Sequence, residues 1–224
     1  DDPQYNPTGR ESEAAEVRLF EYGMALGRQL LEDTQSTALA RQVLLADIDG
    51  DRITPDEFWA FFYILLLGGT ETTRTALTNG MYQLIHHPEQ LARLQREPQL
   101  IAGAIEEMLR LDPPVTKMQR TATRDVELGG VTIRGGDRVI LFYPAVGQDA
   151  ALFPCPERFD IARGENPEFA REHRAFGVGE HYSLGHKLAR AEMLAMFEQI
   201  VARLKNPRLL GPMSRITSPE LTAA

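Results

Sequence analysis

Apolar residues recur at helical spacing through most of the first half of the chain, a pattern that predicts helix almost throughout residues 13–111. The period then changes. Val126-Glu127-Leu128 and Val131-Thr132-Ile133 flank Gly129-Gly130, which predicts a hairpin, and residues 137–143 predict another strand. Residues 144–182 carry several prolines and read as loop, while residues 184–204 return to an alanine-rich helical pattern. The fold class expected from this order is mainly α with a small β element (α+β).

One helix stands out. Thr54 can cap it, Pro55 suits its first position, and Glu57 completes a capping box. The pattern runs to about His86, where Pro88 forces a break, and some 30 residues of helix span roughly 45 Å. Phe58, Phe61, Phe62, Leu65 and Leu66 form an apolar face, yet Trp59, Tyr63, Ile64 and Leu67 make the helix apolar nearly all round, so it expects partners on every side. In its middle lies Gly68-Gly69-Thr70-Glu71-Thr72-Thr73. Each of the two glycines costs about 1 kcal/mol relative to alanine, and contact with another helix or close approach of a ligand are the two reasons available. Just before this helix, Asp47-Ile48-Asp49-Gly50-Asp51 looks like a calcium loop, but its glycine falls fourth rather than sixth, so a turn between helices is expected.

Composition narrows the function. With 224 residues and 43% hydrophobic content, the chain can bury one large core or two small ones. A formal charge of -8 with no lysine or arginine cluster argues against nucleic acid as a partner. The most apolar run, residues 58–69, falls short of the roughly 20 needed to span a bilayer. No charged-then-apolar leader is seen, so a cytoplasmic location is expected. Cys155 is the single cysteine, which excludes an internal disulfide, and its place between prolines suits a structural or exposed residue rather than a metal ligand. His86, His87, His173 and His186 show no metal spacing.

The densest motif is Phe176-Gly177-Val178-Gly179-Glu180-His181-Tyr182-Ser183-Leu184-Gly185, followed by Leu188-Ala189-Arg190. Three glycines in ten residues allow a tight turn and close approach to a flat ligand, and the helical pattern from residue 184 places Ser183 at a helix N-terminus, where an anion is stabilised. The segment resembles the heme-binding signature F-G-x-G-x-H-x-C-x-G-x-x-L-A-R of bacterial, soluble cytochromes P-450. Every fixed position matches except the cysteine, for which Ser183 stands.

Other segments carry the same resemblance in the same order. Gly68-Gly69-Thr70-Glu71-Thr72 is similar to the family's A/G-G-x-D/E-T segment, Glu107-Met108-Leu109-Arg110 to its E-x-x-R, and Phe153-Pro154-Cys155-Pro156-Glu157-Arg158-Phe159 to its meander F-x-x-P-x-R-F. The resemblance implies heme b as cofactor, held by Gly68, Gly69, Phe176, Gly177, Gly179, Ser183 and Gly185, with Arg120 and His181 on its propionates. It implies Ser183 at the axial iron position as a weak or absent ligand, and Glu71 and Thr72 as catalytic groups, Glu71 relaying protons and Thr72 bonding dioxygen where the helix opens locally. It implies a buried Glu107–Arg110–Arg158 network that pins the meander. Ala145-Val146-Gly147-Gln148-Asp149 departs from the family's A-N-R-D, which puts the local loop geometry in question.

The resemblance runs from Asp2-Pro3 to the end, but covers only the C-terminal half of a single P-450 domain. It therefore implies another chain or copy over the central helix, or a larger natural product. Two functions follow as expectations. One is a heme monooxygenase lineage that oxygenates a lipophilic small molecule with electrons from a ferredoxin-type partner, impaired by Ser183. The other is a heme-free accessory protein that keeps the scaffold and binds a partner.

Overall fold

The structure is a computed structural model that describes residues 10–166, 168–213, 216–217 and 222–223. Asp2 and Pro3 lie outside them. The chain divides into two compact units, the first ending at Thr70 and the second beginning at Glu71.

In the first unit, α1 (Arg10–Glu32), α2 (Leu39–Leu45) and the start of α3 (Pro55–His86) enclose a small core of Leu30, Leu44 and Phe58. Helix α1 approaches α3 closely through Gly23 and Gly27, where a Cβ would come within 2.7 Å of Trp59 and 3.0 Å of Phe58. The Asp47-to-Arg52 segment is a two-residue hairpin of β1 (Asp47–Ile48) and β2 (Asp51–Arg52), with Asp49 and Gly50 both at positive φ (56° and 92°). That is the type I′ geometry of a tight hairpin, and the Gly50 N–H donates to Asp47 Oδ1 at 2.9 Å. Among the described residues, no cluster of His, Cys, Asp or Glu could hold a metal ion. The capping box at Thr54 forms in full: Glu57 Oε2 accepts from Thr54 N–H at 2.7 Å, and Thr54 Oγ1 accepts from Glu57 N–H at 3.2 Å.

The second unit holds the rest of α3, α4 (Pro88–Arg96), α5 (Ile101–Leu111) and α8 (His186–Arg203) around one apolar core that includes Leu84, Leu94, Ile105, Met108, Phe159, Met193 and Phe197. The glycine hairpin forms as β4 (Val126–Leu128) against β5 (Val131–Ile133). A strand absent from the sequence pattern, β3 (Lys117–Thr121), pairs antiparallel with β6 (Arg138–Phe142) in the register Arg120↔Val139. Arg120 therefore lies within a strand. The proline-rich stretch contains two short helices, α6 (Tyr143–Gly147) and α7 (Phe169–Glu172), and a 3-10 turn at Ile161–Glu165. That turn packs on α5 with backbone against backbone: a Cβ at Gly103 would lie 2.9 Å from Gly164 Cα. Among the described residues, no helix is long and apolar enough to cross a membrane.

Candidate functional site

The 176–185 loop is a tight reversal held by its own main chain. Ser183 N–H donates to the Phe176 carbonyl at 2.9 Å, Gly177 N–H to Arg174 at 2.8 Å, and Tyr182 N–H to Gly179 at 3.0 Å. Gly177 (φ 81°) and Gly179 (φ 71°) occupy the left-handed region, which a side chain would strain. The expectation of helix from residue 184 is off by two positions: α8 begins at His186 with Gly185 as its cap residue, so Ser183 sits one turn ahead of the helix. Ser183 is half-buried, and beside it Leu184 is 87% exposed.

The residues of this loop fit a flat apolar group, because a Cβ at Gly179 or Gly185 would meet no described atom within 4 Å and Leu184 offers an apolar contact. The side chain at position 183 does not fit thiolate ligation. A thiol ionises near 8.5, whereas an alcohol, like bulk water, keeps its proton to far higher pH. A helix N-terminus supplies about 2 kcal/mol at most, so Ser183 remains a hydroxyl.

Helix α3 is continuous through Gly68, Gly69, Glu71 and Thr72; the implied local opening is not present. The Thr70 hydroxyl donates to the Leu66 carbonyl at 2.8 Å, and a Cβ at Gly68 or Gly69 would meet no described atom within 4 Å. Helix contact within the described residues therefore does not explain the paired glycines. Glu71 accepts from Arg74 at 2.5 Å. His181 lies exposed in a turn at Gly179–His181. Arg120 is exposed as well, its Nη1 donating to the Gln119 carbonyl at 2.9 Å.

The buried charge network corrects one expectation. Glu107 and Arg110 pair as the E-x-x-R spacing implies, with Nε to Oε2 at 2.7 Å and Nη2 to Oε1 at 2.9 Å. Arg110 is 1% exposed, and its remaining three N–H groups donate to the carbonyls of Gly147, Pro156 and Arg158. Thus all five donors of a buried guanidinium are satisfied. Arg158, however, contributes its carbonyl only. Its side chain is 66% exposed and lies 4.0 Å from Asp160. The third charged member is Arg163, whose Nε stands 3.3 Å from Glu107 Oε1, an ion-pair contact outside hydrogen-bond geometry, while its Nη2 donates to the Cys155 carbonyl at 2.7 Å. The left-handed turn at Cys155 (φ 48°) supplies that carbonyl. The departure at residues 145–149 has a packing reason: a Cβ at Gly147 would lie 2.2 Å from the Arg110 carbonyl.

Sequence reading passed over a second cluster. Glu106, 9% exposed, accepts from His173 Nε2 at 2.9 Å and from Arg190 Nε and Nη2 at 2.7 and 2.9 Å. The Arg190 guanidinium lies 4.3 Å from the centre of the Phe176 ring. Burial pushes the Glu106 carboxyl up, but hydrogen bonds from His173 and Arg190 and the Arg190 charge outweigh it and hold the group below the ordinary glutamate value. Burial likewise pulls Arg190 down while Glu106 pulls it further up. His186, 3.0 Å from Arg190 Nη1, is lowered by desolvation and then by the charges of Arg190 and Lys187. The signal was present in Glu106-Glu107, two adjacent carboxylates on an otherwise apolar helix.

The cytochrome P450 family model matches residues 24–206. A steroid C26-monooxygenase of Mycobacterium tuberculosis (strain CDC 1551 / Oshkosh) is 40% identical over 173 residues, 77% of this chain and 45% of the relative. Another from Rhodococcus jostii (strain RHA1) is 36% identical over 220 residues, 97% of this chain and 44% of the relative. The chain thus spans a little under half the length of these relatives. Among solved structures, P450BioI in complex with hexadec-9Z-enoic acid ligated acyl carrier protein superposes with a TM-score of 0.85 at 31% identity, over 96% of this chain and 53% of that one. CYP109E1 from Bacillus megaterium in complex with testosterone gives 0.85 at 28% identity, over 99% of this chain and 60% of that one. The chain belongs to the cytochrome P450 family.

Proposed function

We propose that this chain is the heme-binding portion of a monooxygenase-lineage protein in which Ser183 suppresses native oxygen insertion. The observation that carries the reading is the 176–185 loop, whose left-handed glycines and Ser183-to-Phe176 bond shape a tight reversal with a hydroxyl where the family signature has its cysteine. Heme b is the cofactor of the family, and when bound it supplies the redox-active iron for oxygen chemistry. In this reading Gly68, Gly69, Phe176, Gly177, Gly179, Ser183 and Gly185 are the residues that would hold the group. Arg120 and His181 donate to its carboxylates, as charge-assisted hydrogen bonds. Thr72 orients a proton donor and Glu71 exchanges protons with solvent. Glu107, Arg110 and Arg163 keep the meander in place.

The substrate is a lipophilic small molecule, a class supported by the steroid monooxygenase names of the relatives. Electrons come from a ferredoxin-type protein in the cytoplasm, and another polypeptide or the remainder of a longer chain covers α3. The test is the visible spectrum of the purified protein, full-length where a longer chain exists, reduced under carbon monoxide. With Ser183, a Soret band without the red-shifted carbonyl form of thiolate-ligated heme is expected, and Ser183→Cys restores that form together with oxygen insertion. Equal activity of the two proteins refutes the ligand argument. A protein with no Soret band at all is the heme-free accessory protein.

A further inference from the structure

We infer that Glu106 is a positioning residue for the 176–185 loop, acting through Arg190 at the loop's exit and through His173 at its entrance. Adjacent helical residues point about 100° apart, so α5 aims Glu107 at the meander and Glu106 at α7 and α8. At the exit, Arg190 meets Glu106 with two N–H groups and lays its guanidinium plane against Phe176. At the entrance, Ala175 N–H donates to His173 Nδ1 at 3.1 Å, which leaves Nε2 as the donor to Glu106. One buried carboxylate thereby fixes both stems of the reversal. Between them the Phe176 carbonyl holds the Ser183 amide, so a shift of the Phe176 main chain moves Ser183. Among the described residues Glu106 hydrogen-bonds to His173 and Arg190, neither of them assigned above to the cofactor, so it works through those two. The inference rests on the heme reading only for what the loop carries.

Hydrogen exchange measured by mass spectrometry on the whole chain tests it, comparing Glu106→Gln and Arg190→Lys with Leu94→Ala. Leu94 is fully buried in the same core and hydrogen-bonds to neither loop stem. With temperatures chosen to match global stability, the peptide 176–186 should exchange about tenfold faster or more in Glu106→Gln, with residues 158–163 no faster than in Leu94→Ala. Arg190→Lys keeps the charge but loses the fork and the ring contact, so it should speed the same peptide selectively, and it decides the matter if Glu106→Gln does not fold. Equal acceleration of loop and meander in every variant overturns the inference. Hemin titration of the unaltered protein reads the heme assignment separately: absence of a Soret band refutes that assignment and leaves the exchange result to decide this one.

Discussion

Arg158 and Arg163 lie five residues apart in one segment, and the structure gives them opposite fates. Arg163 reaches Glu107 while Arg158 faces solvent. Urea unfolding should therefore show Arg163→Met costing about 2 kcal/mol, since a buried carboxylate loses a charged partner, against less than about 0.5 kcal/mol for Arg158→Ala. The reverse order would restore the sequence-based assignment. The Glu106 carboxyl gives a pH dependence with a definite sign. Its folded value is depressed, so its contribution is complete above the unfolded value of about 4.3 and is lost as pH falls through the lower folded value. Thermal midpoints should drop below about pH 4.3, and the slope of that acid limb should be shallower in Glu106→Gln; an unchanged slope would show that other carboxylates set it. The E-x-x-R pair was legible because i,i+3 geometry is local. Its third partner was not, because the direction of an arginine side chain depends on the left-handed turn at Cys155, which no motif marks.

Elements closed by short-range hydrogen bonds could be read from sequence: the Thr54–Glu57 capping box, the Gly129-Gly130 hairpin and the proline break before α4 all form. Strand β3 could not. Its Gln119, Arg120 and Thr121 are exposed, and its partner β6 follows only after an intervening hairpin, so neither alternation nor a turn announces it. The start of α8 was misplaced for a related reason: Leu184 continues the apolar pattern but stands in solvent, available to a ligand rather than to the core. The contact between α5 and the Ile161–Glu165 turn was equally invisible, because glycines advertise flexibility and not proximity. A Cβ at Gly164 would fall 2.1 Å from Gly103 Cα, with backbone on both sides and no flexible side chain to yield. Gly164→Ala should cost about 3 kcal/mol in equilibrium unfolding, and a loss under about 1 kcal/mol would mean the two segments can part without strain.

At the scale of the molecule, the first unit carries an exposed apolar run. Ile64, Leu65, Leu66 and Leu67 are consecutive and all exposed, Ile64 to 65%. A helix apolar around its circumference needs neighbours, and the matched residues cover a little under half of these relatives. In sedimentation velocity, the 224-residue chain should self-associate, and Ile64→Ser with Leu67→Ser should shift it toward monomer. A compact monomer that the substitutions leave unchanged would refute the need for a covering partner.

The main-chain bond from Ser183 to Phe176 separates the shape of the loop from the chemistry of residue 183. The loop takes its shape from amides, carbonyls and left-handed glycines, none of which distinguishes oxygen from sulfur at position 183. Shape and electronic content are thus separable in this socket. Selection on folding alone is blind to the atom at position 183, so a single codon can exchange hydroxyl for thiol there while the scaffold stays unchanged.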